Sequence, residues 1–459
     1  MQQFFSYTVS GLGTAAIYAI AASGLVLTYN ATGIFNFAHG AMSMLAAFTY
    51  WEMRFAWNWP APVALVVCLG VMAPLFGLGL ERFLMRYLEG TSQTTKVVVT
   101  ISLMLGMLGL SVWVWDPTRS RPFRRFWDGS VVTIAGVRIP YHLVVSLVVA
   151  AFVALAIWVL MTRTRLGVSM RAVVDDRSLV ALNGARPQII GMTSWAVGTV
   201  LAALAGILIA PNLKLSALPL TLLVVNAYAA AVMGRLRNLP LTFLGAIFLG
   251  LVTEYARGYQ GTLPISDKLI PGFLASIPVL VLFVVLLVLG RSPLRGSVLT
   301  RFTETVQRPT WSGTIGMAVG MALVSALMGK VLPKSDLFAL GRVWGLGIIA
   351  LSIIPVIGYA GQLSLCQMSF AGVGMVMVQH LGGSGSPLAL LAAMAVPAVL
   401  GVIVALPSFR LSGIFFALST AAFAVLMDRW IFMLPEFRLF GHDWDIFNGG
   451  SLNLERTRF

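Results

Sequence analysis

Five stretches of the chain run for roughly 20 residues without a charge, the length of helix that crosses about 30 Å of hydrocarbon. They are Ala61 to Leu80, Val97 to Trp115, Tyr141 to Met161, Leu215 to Gly234 and Pro271 to Gly290. A soluble core has no use for so much apolar surface, and with 58% hydrophobic and 10% charged residues the rest of the chain is of the same kind. The alternation of a membrane-spanning strand is missing from these runs, so they predict helices. The fold class that follows is all-α, a polytopic membrane helix bundle embedded in a lipid bilayer. Met1 to Tyr7 lacks the basic region of a cleaved signal, and Thr8 to Thr28 reads as a retained helix.

Two apolar regions are interrupted in the same way. Thr28 to Gly40 and Pro355 to Gln367 each place a glycine-bearing polar break between apolar runs. Irregular backbone at membrane depth is tolerated only where protein or a water-lined cavity satisfies its N–H and C=O groups, so paired broken helices point to a polar path through the membrane. A single offset of 328 carries Gly33 onto Gly361, Asn36 onto Ser364, His39 onto Gln367 and Arg82 onto Arg410, which makes the two halves parallel modules. The first module spans 1–290, with about nine hydrophobic segments that include 34–52 and 215–234. A cytoplasmic linker occupies 291–310, and a second module of about five segments spans 311–459. By the same offset the loop at 116–131 corresponds to the chain from Trp444 onward, so the second module is expected to be truncated.

The net charge of +15 would suggest nucleic acid in a soluble chain. Here the arginines collect in short loops, and no nucleic-acid partner is predicted. With the linker in the cytoplasm, fourteen basic loop residues fall on that side and nine on the other. The bias has the sign expected of cytoplasmic loops, with Arg119 to Arg125 as the cluster that opposes it. Cys68 and Cys366 propose no disulfide or metal site. His39, His142, His380 and His442 are scattered, and Gly329-Lys330 lacks the preceding glycine of a phosphate-binding loop, so no catalytic residues, metal or cofactor are assigned to this chain. Energy must then come from an ion gradient or from a partner. Trp51, Trp57 and Trp59 read as an interfacial belt, and Glu254 with Arg257 as an interfacial pair.

Arg171 to Gly184 mixes charges with Leu179, Val180 and Leu182 in the longest cytoplasmic loop of the first module. The pattern predicts a short amphipathic helix with Asp175 and Asp176 in its first turn and Asn183-Gly184 at its end. Such a helix is either a solvated loop or a surface that docks in a partner's groove. Asn30, Asn36 and His39 at the first break, and Gln362, Ser364 and Gln367 at the second, would be costly in hydrocarbon unless paired, and so belong in the bundle interior. Their simpler assignment is as caps and ties between helices; the sharper one is contact with a solute.

Asn36-Phe37-Ala38-His39-Gly40, the segment Arg171 to Gly184 followed by Ala202-Ala203-Leu204-Ala205-Gly206, and Gly358 to Leu365 together resemble the permeases of ABC importers for branched-chain amino acids. Leu411 to Thr420 resembles a run of the partner permease, so two permease subunits look fused. The likeness covers nearly all of the first module and roughly the first half of the second. It implies a multi-pass subunit of a bacterial-type plasma (inner) membrane. ATP would be used by two cytoplasmic ATPase subunits, and solute delivered by an extracytoplasmic binding protein. It also implies that Arg171, Ala172, Asp175, Asp176, Leu182 and Gly184 belong to the ATPase-coupling loop. Asp176 and Gly184 fit the family's spacing; Ser178-Leu179-Val180 replaces its usual Glu-Ala-Ala, and Cys366-Gln367-Met368 replaces Gly-His-Ala. The rival reading from repeats and broken helices alone is an ion-coupled secondary transporter of a small solute.

Overall fold

The computed structural model describes residues 1–134, 136–175, 177–213, 215–262, 267, 269–289, 310–381, 387–408, 411, 413–434, 437–439 and 442–447. The linker read at 291–310 lies outside them apart from Thr310, as do Asp176 and Arg410. Eleven helices among these residues are long and apolar enough to cross a membrane. Two short antiparallel hairpins supply the strands, β1 (Val131–Ile134) with β2 (Val137–Pro140) and β3 (Phe437–Leu439) with β4 (His442–Trp444). The protein is an all-α polytopic bundle.

The helices run in chain order as α1 (Gln2–Thr32), α2 (His39–Trp51), α3 (Ala61–Leu65), α4 (Ala73–Phe83), α5 (Gln93–Val114) and α6 (Tyr141–Arg163). They continue with α7 (Arg165–Asp175), α8 (Arg177–Leu182), α9 (Pro187–Leu213), α10 (Ala217–Thr221), α11 (Leu223–Met233), α12 (Leu239–Gly258) and α13 (Ile270–Leu289). A π-helical turn at Val66–Met72 joins α3 to α4 in one rod, and another at Glu52–Ala56 extends α2. Side chains cap several starts. Ser92 Oγ accepts the Thr95 N–H at 3.1 Å, and Asn238 Oδ1 accepts the Leu241 N–H at 3.1 Å.

The described residues fall into two compact units. The first holds α1 to α13 together with α18 (Ile414–Leu426). Its centre is α1 and α9, apolar all round and buried, which is what all-round hydrophobicity demands. Small residues let them meet: a Cβ on Gly198 would strike the Thr28 side chain, so α9 crosses α1 at backbone distance. In contrast, α4, α5 and α6 turn Leu75, Leu105 and Phe152 outward, as lipid-facing helices do. In the same unit α13 packs on α18 and the π-helical turn after it, with Phe273 and Trp430 5.5 Å apart edge to face.

The second unit holds α14 (Trp311–Val331), α15 (Lys334–Leu351), α16 (Gln367–Leu381) and α17 (Pro387–Ser408). Thr310 Oγ1 caps α14 by accepting the Gly313 N–H. Here α16 and α17 pack closely, while α14 and α15 show apolar side chains on every side. Gly33 and Gly361, 328 residues apart, are built alike. Gly33 and Gly361 both take the left-handed conformation, with φ of 65° and 63°. Each donates its N–H back four residues, to Tyr29 O at 2.8 Å and Ile357 O at 3.1 Å, and the next long helix begins at His39 in one half and Gln367 in the other.

Candidate functional site

The first break opens where α1 ends. Only glycine takes φ of 65° without a Cβ penalty, so Gly33 turns the chain out of the helix, and residues 33–36 run without helical bonds before α2. The strand-like segment doubles back along α1, because His39 Nε2–H donates to the carbonyl of Ala21 at 3.0 Å, three turns before α1 ends. Ile34 to Gly40 are all buried.

Most polar groups of the break are met within the bundle. Asn36 Oδ1 accepts the Ala38 N–H at 3.0 Å, and the Asn36 carbonyl accepts the Tyr228 hydroxyl at 3.3 Å. Thr100 Oγ1 donates to the carbonyl of Phe35 at 3.3 Å. The rings of Phe35, Phe37 and Tyr228 lie 4.7 to 5.5 Å apart and wall the segment. At the start of α2, Gly40 admits the Thr221 carbonyl at a place where any Cβ would collide with it. That carbonyl is turned away from its own helix, and Val225 N–H bonds Leu222 O instead. The segment 215–234, expected as one helix, is therefore two, broken at Leu222. Likewise the expected span 34–52 becomes helical only at His39, because its first residues are the doubled-back segment.

Asn36 and His39 thus come together. Asn30 does not join them: it sits at the far end of α1, half exposed, with Nδ2 3.4 Å from the Arg237 carbonyl. Two buried polar atoms near the break lack a partner among the described residues: His39 Nδ1, and Nε1 of Trp195, which packs with Ala38, Ala41 and Met42. The signal for Trp195, Tyr228 and Thr100 was weak in the sequence, since each lies far along the chain and reaches the break only through the packed bundle. In the second unit Gln362 donates its N–H to Val356 O at 3.1 Å, Ser364 Oγ and Cys366 Sγ are 3.3 Å apart, and Gln367 opens α16. Glu254 pairs with Arg257 at 3.0 Å and also accepts the Thr14 hydroxyl at 3.2 Å, so it ties α12 to α1.

The loop from Arg163 to Pro187 holds two helices, not the single one expected. α7 starts earlier than its charge pattern suggested, because Thr164 Oγ1 accepts the Gly167 N–H at 3.1 Å as an N-cap. Asp175 therefore closes α7 instead of opening a helix, and Asp176 lies outside the described residues. The end is as expected. Gly184, at φ 82°, donates to Ala181 O at 3.0 Å and Ala185 donates to Val180 O at 3.3 Å, the double bond pattern of a glycine-stopped helix. Met170, Val173 and Val180 face inward and pack with Leu27 and Ala31 of α1 and Ile190 of α9, with Ala172 and Ala185 at the margin. Leu179 and Leu182 face outward, 57% and 84% exposed, and Arg171 on α7 is exposed too.

Residues 7–290 match the family described as branched-chain amino acid transport system / permease component. Among curated proteins, the high-affinity branched-chain amino acid transport system permease protein BraD of Pseudomonas aeruginosa is 24% identical over 270 residues, 56% of this chain and 88% of BraD. LivH of Escherichia coli, a protein of the same description, is 22% identical over 273 residues, 57% of this chain and 87% of LivH. The probable branched-chain amino acid transport permease protein LivH of Methanocaldococcus jannaschii is 24% identical over 266 residues, 54% and 80% of the two chains. No solved structure matches. The family match at 7–290 takes in the first break and the α7–α8 loop, and the chain belongs to the permease family of branched-chain amino acid transport systems.

Proposed function

We propose that this chain carries a branched-chain or chemically related apolar amino acid inward across a bacterial-type inner membrane as the permease of an ATP-dependent importer. Two cytoplasmic ATPase subunits drive it and an extracytoplasmic binding protein supplies it. The chain itself binds no cofactor in this reading; ATP is consumed by the partners. The division into permease modules at 1–290 and 311–459 belongs to the same proposal.

The observation that carries the reading is mechanical continuity. The α7–α8 loop presents Leu179 and Leu182 outward and grips the last turns of α1 inward through Met170, Val173 and Val180. α1 then ends in the left-handed turn that starts the break. A push on the loop is thereby delivered to the segment from Gly33 to His39. When that segment shifts, His39 Nδ1 and Trp195 Nε1, an acceptor and a donor already lacking partners, become the groups able to meet a polar solute. Buried polar atoms without partners are rare enough to call for such a role.

In proteoliposomes with both ATPases and binding protein, labelled leucine should accumulate only with ATP. Uptake that persists without ATP and collapses with an ionophore would assign the protein to ion-coupled secondary transport.

A further inference from the structure

At the end of the first unit remote from the α7–α8 loop, the chain after α5 folds over the end of α2 and encloses a cleft of about 630 Å³. Trp51 and Trp115 line it. Glu52 stands among them, its Oε2 accepting the Trp115 indole N–H at 3.2 Å. Arg121 lies over the Trp51 ring, 5.7 Å from its centroid, and donates to the Asp116 carbonyl at 2.8 Å. Arg119 reaches Asp116 only at 3.8 Å. Below these charges the wall is apolar. Met72 and Val114 line it from the outer faces of their helices, 43% and 50% exposed.

We propose that this cleft holds a phospholipid whose headgroup carries both a phosphate and a primary ammonium. The charges are complementary to such a head: two guanidinium groups suit a phosphate and the Glu52 and Asp116 carboxylates suit an ammonium. The tryptophans mark the interfacial level at which a head sits, and Met72 and Val114 open the cleft toward hydrocarbon, where an acyl chain continues. A free amino acid carries the same pair of charges. It fills only a small part of a cleft whose volume suits a ligand several times larger, and it has no use for a wall open to lipid. The proposal also accounts for Arg119 to Arg125, the cluster on the side where basic residues are disfavoured: two of its arginines are held there by ligand binding.

The test is lipid retention by the full chain, purified in detergent and read by native mass spectrometry against phosphatidylethanolamine, phosphatidylcholine and phosphatidylglycerol. Phosphatidylethanolamine should be retained in preference to both. Glu52→Gln keeps an oxygen for the Trp115 indole but removes the charge, and should weaken phosphatidylethanolamine roughly five-fold, in keeping with the modest worth of an exposed ion pair. The same variant should leave phosphatidylglycerol unchanged. Arg119→Gln, at an exposed position, should weaken both lipids while the thermal midpoint stays put. Equal retention of all three lipids, or no effect of Glu52→Gln on phosphatidylethanolamine, would overturn the proposal. So would displacement of the bound lipid by free leucine, which would give the cleft to the solute.

Discussion

Gly184 is the residue on which the α7–α8 loop turns. A Cβ there meets nothing within 4 Å, so the only objection to a larger residue is the backbone, at φ 82°. Valine at that angle costs about 1–2 kcal/mol and is relieved by undoing the helix end that seats Val180 and Ala185 against α1. Gly184→Val should therefore leave the protein in the membrane with its ATPases hydrolysing ATP while leucine uptake falls at least several-fold. Asparagine tolerates the left-handed region, and Gly184→Asn should restore most of the uptake. Normal transport by the valine variant would remove this loop as the transmission point. Asp116 shows a residue fixed by charge and hydrogen bonds alone. The Thr118 hydroxyl and amide hold its carboxyl below the ordinary range, helped by Arg119 and Arg121. A carboxylate so lowered contributes its order at every pH above its ordinary value and loses it only as pH falls through the lowered one. A spin label at Ser120→Cys should show constant mobility from about pH 5 to 8 and loosen only below about pH 4; loosening between pH 6 and 8 would contradict this.

At the scale of elements, α2 meets the end of α10 at backbone distance. Gly40→Ala would drive a methyl group into the Thr221 carbonyl, and rigid backbone cannot move aside as a flexible side chain would. The expected cost is about 1–3 kcal/mol, as for other overpacked cores. In detergent this should appear as a thermal midpoint several degrees lower, with membrane insertion unchanged; an unaltered midpoint would mean the two helices are free to part. The elements differ in how far the sequence disclosed them. Uncharged length marked α5, α6 and α13, and Asn183-Gly184 marked the end of α8, because membrane span and left-handed glycine are local requirements. The breaks were legible for the same reason, although the span expected from 34 becomes helical only at His39. The interruption at Leu222 was not, since it exists only because Thr221 faces Gly40 across the bundle. The onset of α7 lies earlier than the charge pattern of Arg171 to Gly184, because a single capping threonine at 164 is a weaker signal than the charged residues that follow it. Asn30 was grouped with Asn36 and His39 by proximity in sequence, whereas α1 runs on for three turns past the level that His39 reaches.

At the scale of the whole molecule, the exposed apolar pair Leu179 and Leu182 is the part that asks for a partner of protein and not of lipid, since it lies in a loop among Arg171, Asn183 and Arg186. Both side chains are largely exposed, so serine at both positions should cost the fold little. The double variant should insert and melt like the parent but lose co-purification with the ATPase subunits, with ATP-driven uptake lost in step. Retained co-purification would place the ATPase contact elsewhere. The first break has a different consequence, for the order in which the protein can be made. α2 is fixed at one end by Ala21, already synthesised, and at Gly40 by Thr221, which leaves the ribosome much later. A growing chain has therefore delivered α1 and α2 to the membrane long before the surfaces that seat them exist. Until α5 and α11 follow, the carbonyls of Phe35 and Asn36 lack the Thr100 and Tyr228 hydroxyls that meet them, and a nascent α2 is expected to wait in a watery or chaperoned site instead of in open lipid. The feature that gives the finished bundle its polar interior thus sets a long delay in its assembly.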